Sequence, residues 1–163
     1  MSTSTSRKRS ATRRFDSPEQ EAYLALWRTY DRLRVIEDEL FGEWELTGQQ
    51  YNLLRLLRAS HPEPVPTLSL VARLVSRAPD ITRMLDKLET AELITRARST
   101  TDRRAVMVII TESGLALLDQ LAGPLQACHE RQLGHLSAME LKTLTLLLSK
   151  ARAPHEPDGS PWG

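Results

Sequence analysis

Arg77-Ala78-Pro79-Asp80-Ile81-Thr82-Arg83-Met84-Leu85-Asp86-Lys87-Leu88-Glu89, with Leu93-Ile94-Thr95-Arg96-Ala97-Arg98 and Ala105-Val106-Met107-Val108-Ile109-Ile110 after it, is where the fold of this chain is written. Ile81, Met84, Leu85 and Leu88 recur three and four residues apart, so they line one buried side of a helix over 79–90. Pro79 suits a first helical turn, and Asp80 suits the positive end of the helix dipole. The runs 93–98 and 105–110 favour extended structure and flank the polar loop Ser99 to Arg104, which predicts a hairpin.

Upstream, Leu70, Val71, Leu74 and Val75 mark a shorter helix from about 68 to 76. It follows the proline-rich stretch 61–66, which ends the helix before it. That helix opens at the capping box Thr47-Gly48-Gln49-Gln50 and carries the stripe Tyr51, Leu54 and Leu57. A long amphipathic helix begins near Pro18, with Tyr23, Leu26, Trp27, Tyr30, Leu33, Leu40, Phe41 and Trp44 on its apolar side. Downstream, Thr111 caps a helix bearing Leu115, Leu118, Leu121, Leu125, Cys128 and Gln132. Ser137-Ala138-Met139-Glu140 is a second capping box, opening a last helix with Leu141, Leu144, Leu147, Leu148 and Ala151.

This order, three helices and then a hairpin between long outer helices, predicts a mainly α fold with a small β-hairpin, a winged helix-turn-helix. The expected layout is a basic unstructured tail over 1–14, one domain over 15–152 and a second tail over 153–163. Within the domain, a lobe at about 47–111 lies between outer helices at about 17–45 and 112–152.

A chain of 163 residues has room for one core but not for an added catalytic domain. It contains no apolar run of the ~18 residues that cross a bilayer and no secretory signal, so a cytoplasmic protein without membrane association is expected. The lone Cys128 has no intrachain disulfide partner and reads as a buried small hydrophobe. The histidines are scattered without metal-ligand spacing, and no phosphate loop, nucleophile elbow or zinc-protease motif occurs. No enzyme activity, metal or cofactor is expected.

The net charge of +1 conceals a marked asymmetry. Residues 1–14 are basic, and the first long helix is acidic. The stretch 94–104 carries Arg96, Arg98, Arg103 and Arg104 against Asp102 alone. Helix 79–90 presents Thr82, Arg83 and Lys87 opposite its apolar side, with Arg77 just before it. A helix of this kind fits the major groove of duplex DNA, about 12 Å wide, while a hairpin tip reaches a neighbouring groove or phosphates.

Residues 77–89, Leu93-Ile94, Asp102-Arg103-Arg104-Ala105-Val106 and Ile110-Thr111-Glu112-Ser113-Gly114 together resemble the MarR (multiple antibiotic resistance regulator) family. The resemblance spans about 18–152, the outer helices matching in pattern and length. It departs at the longer proline-rich connection and at Ala91-Glu92, where the family commonly has a glycine. It implies that Asp102 orients Arg104 at the minor groove and that Arg103 contacts the backbone. It also implies a homodimer built from the outer helices, and a repressor of a pseudo-palindromic operator. Three long amphipathic helices, with more apolar surface than a small lobe can cover, agree with a dimer. A small aromatic or phenolic effector is the further implication, with Trp27, Tyr30, Arg34, Trp44 and Tyr51 as candidates; each also reads as core or interface. An activator, an oxidant-responsive regulator using Cys128, and a ligand- or protein-binding dimer without DNA binding stay open as alternatives.

Overall fold

The computed structural model describes residues 15–75, 80–102 and 104–161. The basic tail, Arg77, Pro79 and Arg103 lie outside the described residues. Contacts divide the chain between Val35 and Ile36 into two units, each described by itself.

The first unit is the greater part of α1, Pro18–Glu43. Proline at its first position gives up no hydrogen bond. Ser17 Oγ accepts from the Gln20 amide at 3.1 Å, and Gln20 Oε1 accepts from the Asp16 amide at 2.8 Å. Tyr23, Leu26, Trp27 and Tyr30 stand exposed along this part of the helix, the Tyr23 and Trp27 rings 6.2 Å apart.

In the second unit, α2 (Gly48–Ser60) is the central element, with Leu53, Leu54 and Leu57 almost wholly buried. Its start is held by the expected box: Thr47 Oγ1 accepts from the Gln50 amide at 3.2 Å and Gln50 Oε1 from the Thr47 amide at 2.8 Å. Around it lie α3 (Thr67–Arg73), α4 (Ile81–Thr90), β2 (Ile94–Arg98), β3 (Val106–Ile110) and α5 (Glu112–Leu133). Phe41, Leu70, Leu88, Ile94, Val108, Leu118 and Leu121 close the same core.

Three features differ from the sequence-based expectation. Helix α3 ends three residues early, at Arg73, where Leu74 turns to extended backbone. Helix α4 begins at Ile81 because Asp80 caps it, Oδ1 accepting from the Arg83 amide at 2.9 Å. The hairpin is joined by β1, Val65–Pro66, giving an antiparallel sheet in the order β1-β3-β2 with Val65 opposite Val108. A two-residue strand carries no detectable period, and proline, which lacks an amide hydrogen, is tolerated because β1 is an edge.

Thr111 caps α5, its Oγ1 accepting from Gly114 N at 3.0 Å and donating to Glu92 O at 2.7 Å. Helix α6, Ala138–Arg152, starts at the second capping box, Ser137 with Glu140, and buries none of its side chains fully. Met139, Leu146 and Leu147 on it are exposed. The tail expected beyond 152 begins instead with a 3₁₀ turn, Ala153–His155, beside an Arg152–Glu156 ion pair at 3.1 Å.

Candidate nucleic-acid interface

The buried side of α4 is Met84, Leu85 and Leu88, so Thr82, Arg83, Asp86 and Lys87 are exposed. Neither Arg83 nor Lys87 forms an ion pair among the described residues, which leaves both cations for an external anion. They line a cleft of about 380 Å³ together with Thr47, Gln49 and Gln50 at the start of α2 and with Asp80 and Met84. That the start of α2 borders this surface is not legible in the sequence, because these residues lie more than thirty positions upstream of α4 and come beside it only on folding.

Helix α4 ends in a tight stop. The Leu93 amide donates to Leu88 O at 3.0 Å and the Glu92 amide to Glu89 O at 2.9 Å, with Glu92 left-handed at φ 57°. This is the αL cap that glycine usually supplies, so the departure at Ala91-Glu92 preserves the turn at some conformational cost. The stop delivers the chain into β2, and hence the wing, beside α4.

At the wing tip, Ser99 Oγ accepts from the amides of Thr101 and Asp102, each at 3.2 Å. Asp102 Oδ1 accepts from the Arg104 amide at 2.9 Å, and the Ala105 amide donates to Asp102 O at 2.9 Å. Asp102 thus orients Arg104 through its main chain, leaving the guanidinium exposed. Ser99, unnoticed in the sequence, shapes the loop equally; a serine before a polar loop is too common to single out, although such local bonds are its usual role. Arg98 is exposed near the tip, but Arg96 is not displayed in the same way. Its Nε donates to Glu89 Oε2 at 2.9 Å and its Nη2 to Asp86 Oδ1 at 2.7 Å, its side chain only 24% exposed. Hydrogen bonding to Arg96 holds the Glu89 carboxyl below its usual range, and both carboxylates hold the guanidinium above its own.

The effector candidates are dispersed. Trp27, Tyr30 and Arg34 belong to the first unit, the two aromatics well exposed; Trp44 and Tyr51 belong to the second. Trp44 packs half-buried on the core, and Tyr51 stacks on Phe41 at 5.1 Å. Tyr51 also lines a cavity of about 560 Å³ with Arg58, Leu118, Leu125, His129 and Leu141. Its α5 wall is legible as the spacing 118, 122, 125, 129, 133, but only folding brings Arg58 to it. Cys128 is buried, its Sγ 3.9 Å from Ile36 O; burial first, then Glu37, pushes the thiol pKa up. Among the described residues no group of His, Cys, Asp or Glu is placed to hold a metal. No described helix is long and apolar enough to cross a membrane.

The sequence profile of the MarR family matches residues 46–106, from the start of α2 to β3. The transcriptional repressor NicR of Pseudomonas putida is 32% identical over 136 residues, covering 83% of this chain and 84% of that protein. This chain belongs to the MarR family. A MarR transcription factor from Planctomyces limnophilus, solved as a crystal structure, is 55% identical with a TM-score of 0.67, covering 83% of this chain and 98% of that one. The transcriptional regulator MhqR of Bacillus subtilis is 28% identical over 78% of this chain and 87% of its own length. The fold is therefore the winged helix of MarR regulators, and the protein is a DNA-binding transcriptional regulator rather than an enzyme.

Proposed function

We propose that this MarR-family protein is a cytoplasmic homodimeric repressor that binds a pseudo-palindromic duplex operator, inserting α4 in the major groove and the wing arginine in the minor groove. The observation that carries the reading is the exposed face of α4, with Thr82, Arg83 and Lys87 beside a hairpin whose tip holds Arg104 outward. Thr82 and Arg83 have the chemistry for base edges, and Lys87 and Arg98 for phosphates. Arg103 keeps the backbone contact that the family resemblance implies, and Arg77, just before α4, stays among the DNA-binding candidates. A narrow minor groove draws an arginine by its enhanced negative potential.

Dimerisation is supported by the exposed apolar side chains of α1 and, separately, of α6, a burden that a soluble monomer rarely carries. Two copies related by a twofold axis present two recognition helices, hence the palindrome. For the effector, the cavity beside Tyr51 favours a small aromatic acid: leucines supply apolar lining, and Arg58 and His129 supply polar groups. The buried, poorly acidic Cys128 argues against an oxidant-responsive regulator.

Selection from a random duplex pool at two salt concentrations tests the reading. Enrichment of an inverted repeat that survives the higher salt is expected; weak binding lost with salt would refute sequence-specific regulation. Hydroxylated aromatic acids should then release the wild-type protein from the selected duplex and fail on Tyr51→Ala. Equal release of both places the effector elsewhere.

A further inference from the structure

The basic wing strand invites one reading for all its arginines, contact with phosphate. The geometry around Arg96 opposes it for that residue. Helix α4 carries two acids on its wing side, Asp86 and Glu89. Left unpaired next to a polyanion, both would repel it, in a lobe whose described recognition-helix cations are only Arg83 and Lys87.

From β2, Arg96 reaches both acids at once. Its Nε and Nη2 converge on Glu89 Oε2, and Nη2 also donates to Asp86 Oδ1 at 2.7 Å. The same Glu89 carboxylate accepts from the main-chain amide of Arg96 at 3.1 Å. A forked guanidinium is the one side chain suited to bridge two carboxylates in this way; a lysine ammonium has no such planar fork. With its donors turned toward α4 and three quarters of its side chain covered, Arg96 is spent inside the protein. Arg83, Lys87, Arg98 and Arg104 are exposed and make no such pair among the described residues.

We propose that Arg96 is a positioning residue for DNA binding: it cancels the charge of Asp86 and Glu89 on the reading face and ties them to the wing strand, without touching DNA itself. The inference rests on the DNA-binding reading above and assigns a separate role within it. Arg96 accordingly decides how α4 meets phosphate, through residues that would otherwise turn it away.

The test compares operator affinity and its salt dependence for wild type, Arg96→Ala and the triple variant Arg96→Ala/Asp86→Asn/Glu89→Gln, with melting curves for each. Arg96→Ala should lose about 10- to 100-fold in affinity, the worth of one or two charge-assisted contacts. The triple variant, which lacks the arginine altogether, should return to within about threefold of wild type with an unchanged salt slope. A phosphate-contacting Arg96 gives the opposite: the triple variant stays weak and its log–log salt slope falls by about 0.9, one phosphate equivalent. A purely structural strut also fails to recover in the triple variant, but with the wild-type slope and a lowered melting point, and this too overturns the proposal. Should Arg96→Ala not fold, Asp86→Asn/Glu89→Gln in the presence of Arg96 serves instead. It should bind at least as tightly as wild type with a steeper slope, and weaker binding refutes the role. Failure of the wild-type protein to bind any selected duplex removes the DNA-binding reading itself; binding by wild type with no effect of the variants removes only the role of Arg96.

Discussion

Gly114→Ala sets two magnitudes against each other. Alanine in place of glycine favours a helix by up to about 1 kcal/mol, less near an end, so propensity alone predicts a more stable protein. Position 114 is not free space, however. A Cβ built there would overlap the Leu93 carbonyl oxygen and sit 2.7 Å from Ile110 Cγ1. That carbonyl has little freedom to yield, since it accepts the Thr111 amide at 3.0 Å where β2 begins beside the start of α5. Overpacking against fixed neighbours costs about 1–3 kcal/mol. The net effect is destabilisation on the order of 1–2 kcal/mol, which for a chain of this size lowers Tm by about 2–8 °C. Thermal and urea unfolding at one fixed protein concentration measure it, because a dimer's Tm moves with concentration. A variant that melts at or above the wild-type temperature would refute the reasoning, showing that the junction relaxes around a methyl group.

Glu92→Gly should act in the other direction, raising stability by about 0.5–1 kcal/mol in urea unfolding, since it relieves the left-handed backbone at φ 57°. Arg104→Ala should weaken operator binding about tenfold or more while leaving the melting curve unchanged, because its side chain is exposed and only its main chain is held by Asp102. Glu140 accepts from the Ser137 amide and hydroxyl, and these bonds hold its carboxyl below the usual range. A lowered folded-state pKa means that its stabilisation is present above the unfolded carboxylate value, about 4.3, and fades as pH falls through the folded value. Stability measured downward from about pH 6 should therefore decline more for wild type than for Glu140→Gln, and parallel curves would contradict the assignment.

The strongest local signals in the chain were its caps and periods. Thr47 with Gln50, Thr111 with Gly114 and Ser137 with Glu140 each form the bonds that their spacing implies, since a cap involves residues three apart and needs no tertiary partner. The apolar period of 81, 84, 85 and 88 likewise decides which side of α4 is buried, and therefore that Thr82, Arg83 and Lys87 face outward. What depends on residues far apart in sequence needed the fold. Val65–Pro66 becomes a strand only because β3 offers a partner, and Tyr51 lines a cavity with Arg58 and His129 only because α2 packs on α5. The clearest case is Arg96. By composition it is one more cation in a basic wing, indistinguishable from Arg98 two residues on, with which it shares a face of the strand. Composition records how many charges a segment carries; which of them remain available is decided by distances of a few ångströms to carboxylates on another element, and those distances exist only once α4 and β2 have packed.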